Sequence, residues 1–500
     1  MVTICAMTAT IMQALDTTIA NVALPYMQGS LSASQDQINW VLTSYIVAAA
    51  IMTAPVGWIA NRFGRKRVFI LCSAGFTIAS VMCGLAQDIT QMVVFRLLQG
   101  VFGAALVPLS QAVMLDSYAL HERAKAMAIW GMGVMMGPIM GPSLGAWLTE
   151  TYSWHWVFFV NLPFGIITVA GLLVFMDETK LNTGLQFDWF GFTALAVGIG
   201  ALQLALDRGE QLDWLESWEI VIELIVSGIG FYYFFAHSLT TKRPFVQFAI
   251  FKDRNFATAL IFMVVIGVVL FSTMALASPL FQNAFGYPIL TAGLLLATRG
   301  GGTFVAMMLV SRLMGWFEAR TLIATGLSLI AVTLYEMTTW TADVAVQTIV
   351  VNSVIQGFGL GLVFVPLTTA AFMTLPNHLR TDGTAMLTLV RNVASSIGIS
   401  IVIAQLTRGT TRVHAVLTEH VNPFNNALQM PNVTGTINLN TDMGRAMMDL
   451  LVSAQAQIIA FSQDFELVAL VTVCAIPLVL ILKSTKAAMQ APPDHAAVME

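Results

Sequence analysis

The sequence predicts an all-α integral membrane protein with fourteen transmembrane helices, and three observations predict it. Of the 500 residues, 57% are hydrophobic and 10% charged, against roughly 25% charged in soluble domains, and the mean hydropathy is +0.78. Fourteen apolar runs come close to the roughly 20 residues needed to cross a bilayer core of about 30 Å. The basic residues alternate between the two sets of segments connecting those runs. The same composition excludes a multidomain soluble protein, a disordered chain, a collagen and a disulfide scaffold. A net charge of −4 provides no basic surface for nucleic acid.

In chain order the runs lie near 3–25, 38–60, 68–87, 90–113, 126–148, 157–176 and 187–206, then 218–236, 256–280, 289–314, 321–340, 345–371, 384–406 and 464–483. No Lys or Arg precedes Arg62, so the first run lacks a signal-peptide pattern and is expected to stay as a membrane helix. The eighth and eleventh runs carry Glu223 and Glu336, both near expected helix ends where interfacial water can solvate them. Cys5, Cys72, Cys83 and Cys474 fall in apolar runs and read as small buried hydrophobes; no His or Cys spacing suggests a metal site or a cofactor.

One set of connecting segments holds 16 of the 23 basic residues, the Arg62–Arg67 cluster, Arg123, Arg254, Arg320 and Arg380 among them; the other holds only Arg208, Arg408, Arg412 and Arg445. By the positive-inside rule both termini are cytoplasmic. The segment 407–463 is then a long polar loop on the opposite face, within which Met443 to Phe461 has the composition of an amphipathic arm. The tail 491–500 reads as unstructured.

An internal repeat organises these spans. VFRLLQGVFGAALVPL (Val94 to Leu109) and VNSVIQGFGLGLVFVPL (Val351 to Leu367) share a Q-G pair and a following V-P-L, and the next loops share H-x-R at His121 to Arg123 and His378 to Arg380. Two parallel halves follow, with spans seven and eight inserted between them. The expected units are 1–176, the insert 177–240, and 241–490. Aligning the repeat sets Ser353 opposite Arg96, so the second half lacks a buried cation at that place.

These motifs resemble the major facilitator superfamily, and within it the fourteen-helix drug:proton antiporters of the EmrB/QacA type, over nearly the whole chain. LDTTIANVALP (Leu15 to Pro25) is similar to the family's first-helix signature and WVLTSY (Trp40 to Tyr45) to its second-helix opening. GWIANRFGRKR (Gly57 to Arg67) resembles the loop motif, RLLQG (Arg96 to Gly100) the buried-arginine motif, GMGVMMGPIMGPSLG (Gly131 to Gly145) the antiporter motif, and WHWVFFVNLPFG (Trp154 to Gly165) the run after it. The loop motif, with Gly57, Asn61, Arg62, Gly64 and Arg65, is implied by the resemblance to be a charge latch. Its usual acid is replaced by Asn61, which can hydrogen-bond a helix end but not form an ion pair; Asp116 is an alternative partner for Arg65 or Arg62, and plain anchoring of the basic cluster is an equal reading.

Charged side chains in mid-membrane are costly and therefore point to function. Asp16 lies roughly 21 Å from the cytoplasmic end of its span and Arg96 roughly 9 Å from the outer end of its own, at 1.5 Å per residue, so in a core of about 30 Å the two share a depth. A carboxyl poised between burial, which favours the neutral form, and a guanidinium, which favours the charged form, can load and release a proton; Arg96 remains a fixed cation. The same placement also suits a static pair joining two helices. Gly133, Gly137, Gly141 and Gly145, with Pro138 and Pro142 at the same spacing, form a ridge of small residues expected at a moving seam between the halves. Asn21, Gln99, Arg299, Asn352 and Gln356 are candidates to line a substrate cavity.

The expected function is proton-coupled efflux of lipophilic compounds by alternating access; the alternative is export of one endogenous metabolite, fatty acid, lipid or siderophore. No acid–base or nucleophilic constellation supports an enzyme, and no phosphate-binding loop supports an ATP-driven pump. The expected partners are a small-molecule substrate, protons and the bilayer of a bacterial inner membrane. The resemblance further implies a periplasmic adaptor and an outer-membrane channel.

Overall fold

The computed structural model describes residues 1–119, 122–178, 184, 186–241, 244–376, 379–422, 425, 428, 430, 437–439 and 441–482, with the side chains of residues 35, 36 and 138 left undescribed. The repeat's His121 and His378, the basic residues Lys180, Lys242, Arg243, Lys483 and Lys486, the tail 491–500 and the side chain of Pro138 therefore lie outside the described residues. The described part is helical with no strand, as a chain immersed in lipid requires when every backbone polar group must be satisfied within its own segment.

The helices are α1 Val2–Ser30, α2 Gln35–Thr53, α3 Val56–Phe63, α4 Arg65–Gly84, α5 Ile89–Gly103, α6 Leu106–Ser117, α7 Arg123–Thr151, α8 Trp156–Phe159 and α9 Asn161–Phe175. They continue as α10 Trp189–Arg208, α11 Trp218–Thr240, α12 Arg254–Pro279, α13 Ile289–Trp316, α14 Ala319–Met337, α15 Val346–Met373, α16 Arg380–Glu419 and α17 Asp442–Ala475. Short polar residues start several of them: Ser34 and Gln37 close a capping box on α2, and Asp88, Asp188, Asp253 and Thr441 cap α5, α10, α12 and α17. Proline sets the interruptions. Pro55 stands where α2 and α3 bend by 57°, and Pro108 and Pro163 lack the donors that would bond the carbonyls of Ala104 and Phe159, where α5 gives way to α6 and α8 to α9.

Among the described residues, twelve helices are long and apolar enough to cross a membrane, and thirteen if the bent α2–α3 pair is one span. The helix at the eleventh run, α14, is 19 residues long with Arg320 and Glu336 near its two ends, and it is not among them.

Helices α1 to α9 pack mainly on one another, with α1 against α7, α6 and α9, and α5 against α2 and α4. Helices α12 to α17 do the same, through α12–α16, α13–α15, α14–α15 and α16–α17. The α10–α11 hairpin lies outside both groups. Its α10 is bonded to each: Asp207 accepts from Thr43 of α2, Gln203 donates to Ser396 of α16 at 2.8 Å, and Ser400 of α16 donates to the Leu206 carbonyl at 2.8 Å. The two groups meet where α7 packs on α13 and where α3 and α6 pack on α16.

One expected boundary is corrected. The stretch 407–463 is not a single polar loop, because α16 runs on to Glu419 and α17 begins at Asp442. At 1.5 Å per residue the 40 residues of α16 span roughly 60 Å, twice a bilayer core. The two ends therefore leave the membrane as a helical pair, joined by His414 and Asp449 at 3.0 Å and by close packing of Gly409 on Ala460. The proposed arm at Met443 to Phe461 is helical, but it is the outward continuation of the last span. Once backbone bonds are made within the helix, polar side chains outside the membrane are no reason for it to stop.

Candidate functional site

Helix α1 is clamped between two neighbours. On one side lies the glycine ridge, and here the expected seam is corrected: Gly133, Gly137, Gly141 and Gly145 face α1 within the same group of helices, not the opposite group. A Cβ on Gly133 would meet Met7 at 3.0 Å, one on Gly145 would meet the Ile19 carbonyl at 2.9 Å, and those on Gly137 and Gly141 would collide with the Ala14 backbone and Thr18. Thr18 donates to the Gly137 carbonyl at 3.0 Å, which ties the backbones at the closest approach. A stripe of glycines fixes a flat helix face but does not say which neighbour covers it. The surface that α7 offers to α13 is a different one, carrying Gly131 against Met307 and Ile139 against Gly300, with Pro142 and Ser143 near Gly293. Helix α7 continues through Pro138 and Pro142 without a break.

On its other side α1 presents Asp16, which has no exposed surface. Arg96 of α5 donates to its Oδ2 at 2.8 Å, and Gln99 of α5 and Asn161 of α9 donate to its Oδ1 at 2.8 and 2.9 Å. The guanidinium, 1% exposed, also donates from Nε to the Val41 carbonyl at 3.0 Å and from Nη1 to Gln99 at 2.8 Å, and it lies 4.3 Å from the Tyr45 ring centre. Ser80 of α4 accepts from Asn161 at 3.0 Å and donates to the Phe158 carbonyl at 2.9 Å. One carboxylate is thus held by three donors from two helices. Such charge-assisted bonds stabilise the ionised form, and removing either member of the pair would leave an uncompensated charge in a dry site.

The structure thus brings together Asp16 and Arg96, which the sequence set at equal depth. Gln99 belongs to this network and not to an open cavity. Asn161, Ser80 and Tyr45 were missed as site residues. Asn161 and Tyr45 stand inside quoted motifs, and polarity within an otherwise apolar span was the available signal. Of the remaining cavity candidates, Asn21 is exposed and Asn352 is tied to α14 through the Thr333 carbonyl and Glu336, both at 2.9 Å. Gln356 and Arg299 are buried, each with one side-chain nitrogen unpartnered among the described residues. Arg299 borders a small apolar cavity of about 10 Å³ formed by Val265, Ile266, Leu327, Leu360 and their neighbours.

A second cluster closes the end of the molecule that carries the basic residues. Asp116, at the end of α6, is paired with Arg65 of α4 and with Arg380 of α16, the latter at 2.8 Å, so one carboxylate binds cations from both groups of helices. Arg123 of α7 donates to the Phe372 carbonyl at 3.3 Å. Gly57 lies directly against Asp382, where any side chain on α3 would collide with α16. Gly64 turns the chain at φ +95°, a conformation that favours glycine, beneath the Glu178 carboxylate. Arg65 thus pairs with Asp116, the alternative partner weighed from the sequence, whereas Nη1 of Arg62 is buried without a hydrogen-bond partner among the described residues.

This closure makes a prediction. Asp116→Asn, which weakens both ion pairs, should speed modification of a reporter Met386→Cys by a membrane-impermeant maleimide several-fold in an otherwise cysteine-free protein. An unchanged rate would mean that the pairs do not hold this end shut.

Comparisons with known proteins agree with this architecture. The Major Facilitator Superfamily profile matches residues 6–399. The multidrug export protein EmrB of Escherichia coli is 34% identical over 460 residues, covering 91% of this chain and 90% of that protein. The fatty acid resistance protein FarB of Neisseria gonorrhoeae is 35% identical, covering 84% and 83%. Among solved structures, the proton:xylose symporter XylE aligns with a TM-score of 0.59 at 13% identity over 95% of each chain, a likeness of fold. The molecule is a multi-pass membrane protein and a secondary transporter of small molecules, not an enzyme. The chain belongs to the major facilitator superfamily, in the drug:proton antiporter family that includes EmrB.

Proposed function

We propose that this protein is a proton-coupled multidrug exporter of the bacterial inner membrane, moving lipophilic compounds outward by alternating access. The observation that carries the reading is the fully buried Asp16–Arg96 pair in its ring of amide donors. Protonating Asp16 would remove the charge that holds the guanidinium, Gln99 and Asn161 together, loosening α1 from α5 and α9. That gives the proton a direct mechanical consequence. With fourteen spans arranged six, two and six and both termini cytoplasmic, the cluster around Asp116 is the cytoplasmic gate in its closed state, and α7 against α13 is the hinge side. The name of EmrB supports the substrate class.

A second reading is export of a fatty acid or similar amphiphilic anion. The name of FarB and the buried cation Arg299 among apolar side chains favour it. The test is a transport panel in inverted vesicles with an imposed pH gradient: uptake of several unrelated lipophilic drugs is expected, and uptake confined to fatty acids would replace the first reading with the second.

The projecting ends of α16 and α17 suit a periplasmic adaptor leading to an outer-membrane channel. On α17 they expose Met443, Met447, Leu450 and Leu451, which at helical spacing form one apolar stripe. Replacing residues 414–452 by a brief linker, outside the Gly409–Ala460 contact, should leave vesicle transport intact and abolish drug resistance in whole cells. Loss of both activities would rule out a role confined to docking.

A further inference from the structure

The mechanism above leaves a second intramembrane acid unused. Asp464 of α17 has no exposed surface, like Asp16, but neither of its oxygens has a hydrogen-bond partner among the described residues. The contrast is chemical. A carboxylate taken out of water with no donor and no cation is strongly disfavoured, whereas the neutral acid loses only the solvation of a polar group. The surroundings do not change this balance. Phe461 and Phe465 beside it are buried, and Ser462 donates to the Thr338 carbonyl at 2.6 Å, binding this turn of α17 to α14.

The elements packed on α17 are α16, α14, α12 and the turns 280–284 and 476–481. Their charged groups are bonded, exposed or far along the bundle at the basic end, where Asp382 of α16 lies against Gly57. Glu336 of α14 accepts from Asn352, Arg408 and Arg412 of α16 are exposed, His414 bonds Asp449, and Arg254 of α12 donates to the Ile481 carbonyl. Arg391 of α16 reaches Asn392 at 3.4 Å, Arg320 and Arg380 lie at the basic end, and the two turns carry no titratable residue. On α17 itself Glu466 is exposed. None of them forms an ion pair with Asp464.

Position adds a second, independent argument. Asp464 lies 17 residues before Ile481, roughly 25 Å along a helix, so it sits near the far edge of a bilayer core of about 30 Å. That is the root of the projecting helical pair, where a small separation of α17 from its neighbours admits water from outside. Helix α16 joins this place to the gate. It carries Arg380 of the Asp116 cluster at one end and, at Gly409, packs on Ala460, one turn from Asp464.

We propose that Asp464 is a second proton-binding site, neutral while buried in the gate-closed state and ionised, its proton passing to outside water, when α16 moves away from α17 as the gate opens. The step is a simple proton transfer between the carboxyl oxygen and water. It does not depend on Asp16. It adds a proton site in the second half, which lacks a buried cation opposite Arg96.

The test uses the full-length protein in lipid nanodiscs, with aspartate labelled at its carboxyl carbon. At neutral pH the infrared band of a protonated acid is expected in the wild type and in Asp16→Asn, absent in Asp464→Asn, and shifted in Asp464→Glu should the amide variant fail to fold. Protons released per substrate bound should fall by one in Asp464→Asn, or become pH-shifted in Asp464→Glu. Absence of the band, or a band whose removal leaves proton release unchanged, would overturn the proposal, the second result marking Asp464 as a permanently neutral core residue. A defect confined to Asp16→Asn would count against this site while sparing the first.

Discussion

Asp16→Asn is expected to abolish proton-driven substrate flux and to destabilise the protein by about 3–5 kcal/mol, the usual consequence of stranding one member of a buried ion pair. Here the stranded member is Arg96, which keeps its Val41 and Gln99 partners but loses the counter-charge it has among the described residues. The double variant Asp16→Asn with Arg96→Gln removes the charge imbalance and should recover most of the lost stability. It should not recover coupling, because neither amide can take up a proton. Thermal unfolding and flux measured on the same preparations separate the two roles. If the double variant regains both stability and proton-driven transport, the pair is a static clamp between α1 and α5.

The second large effect concerns packing. Gly137→Ala should destabilise the protein severely, because its new methyl would be driven into the Ala14 backbone, which cannot rotate aside as a side chain can. Gly133→Ala should be tolerated, since the group it meets is the flexible end of Met7 at 3.0 Å. The yield of monodisperse protein and its unfolding temperature report both. Equal tolerance at the two positions would show that α1 and α7 do not need their close approach. Because Asp16 and Ala14 lie on the same helix, a milder Gly137→Ala defect should still appear as lost transport.

Much of the fold was legible because hydropathy averages over some twenty residues at a time and the positive-inside bias checks the count independently. The shared level of Asp16 and Arg96 was legible because depth along a helix follows from residue number alone. What sequence could not provide was azimuth. The spacing of Gly133 to Gly145 defines a face of α7, yet the neighbour covering it is α1 and not α13, since nothing in a periodic pattern names its partner. Asn161 and Ser80 were equally hidden, for a lone polar residue in an apolar helix does not show which way it points. The outer ends of α16 and α17 were read as loop because polar composition reports solvent, and a helix that leaves the membrane has the same composition as a loop that does. Asp464 stood at a predicted span boundary, where an acid attracts no notice until the structure buries it.

The most direct measurement is proton release from purified protein when substrate is added, compared between wild type and Asp16→Asn in weakly buffered solution. The account predicts a stoichiometric release in the wild type that falls by one proton per substrate in the variant while substrate binding persists. Binding with an undiminished release in Asp16→Asn would contradict it, and the coupling site would have to be sought elsewhere in the molecule.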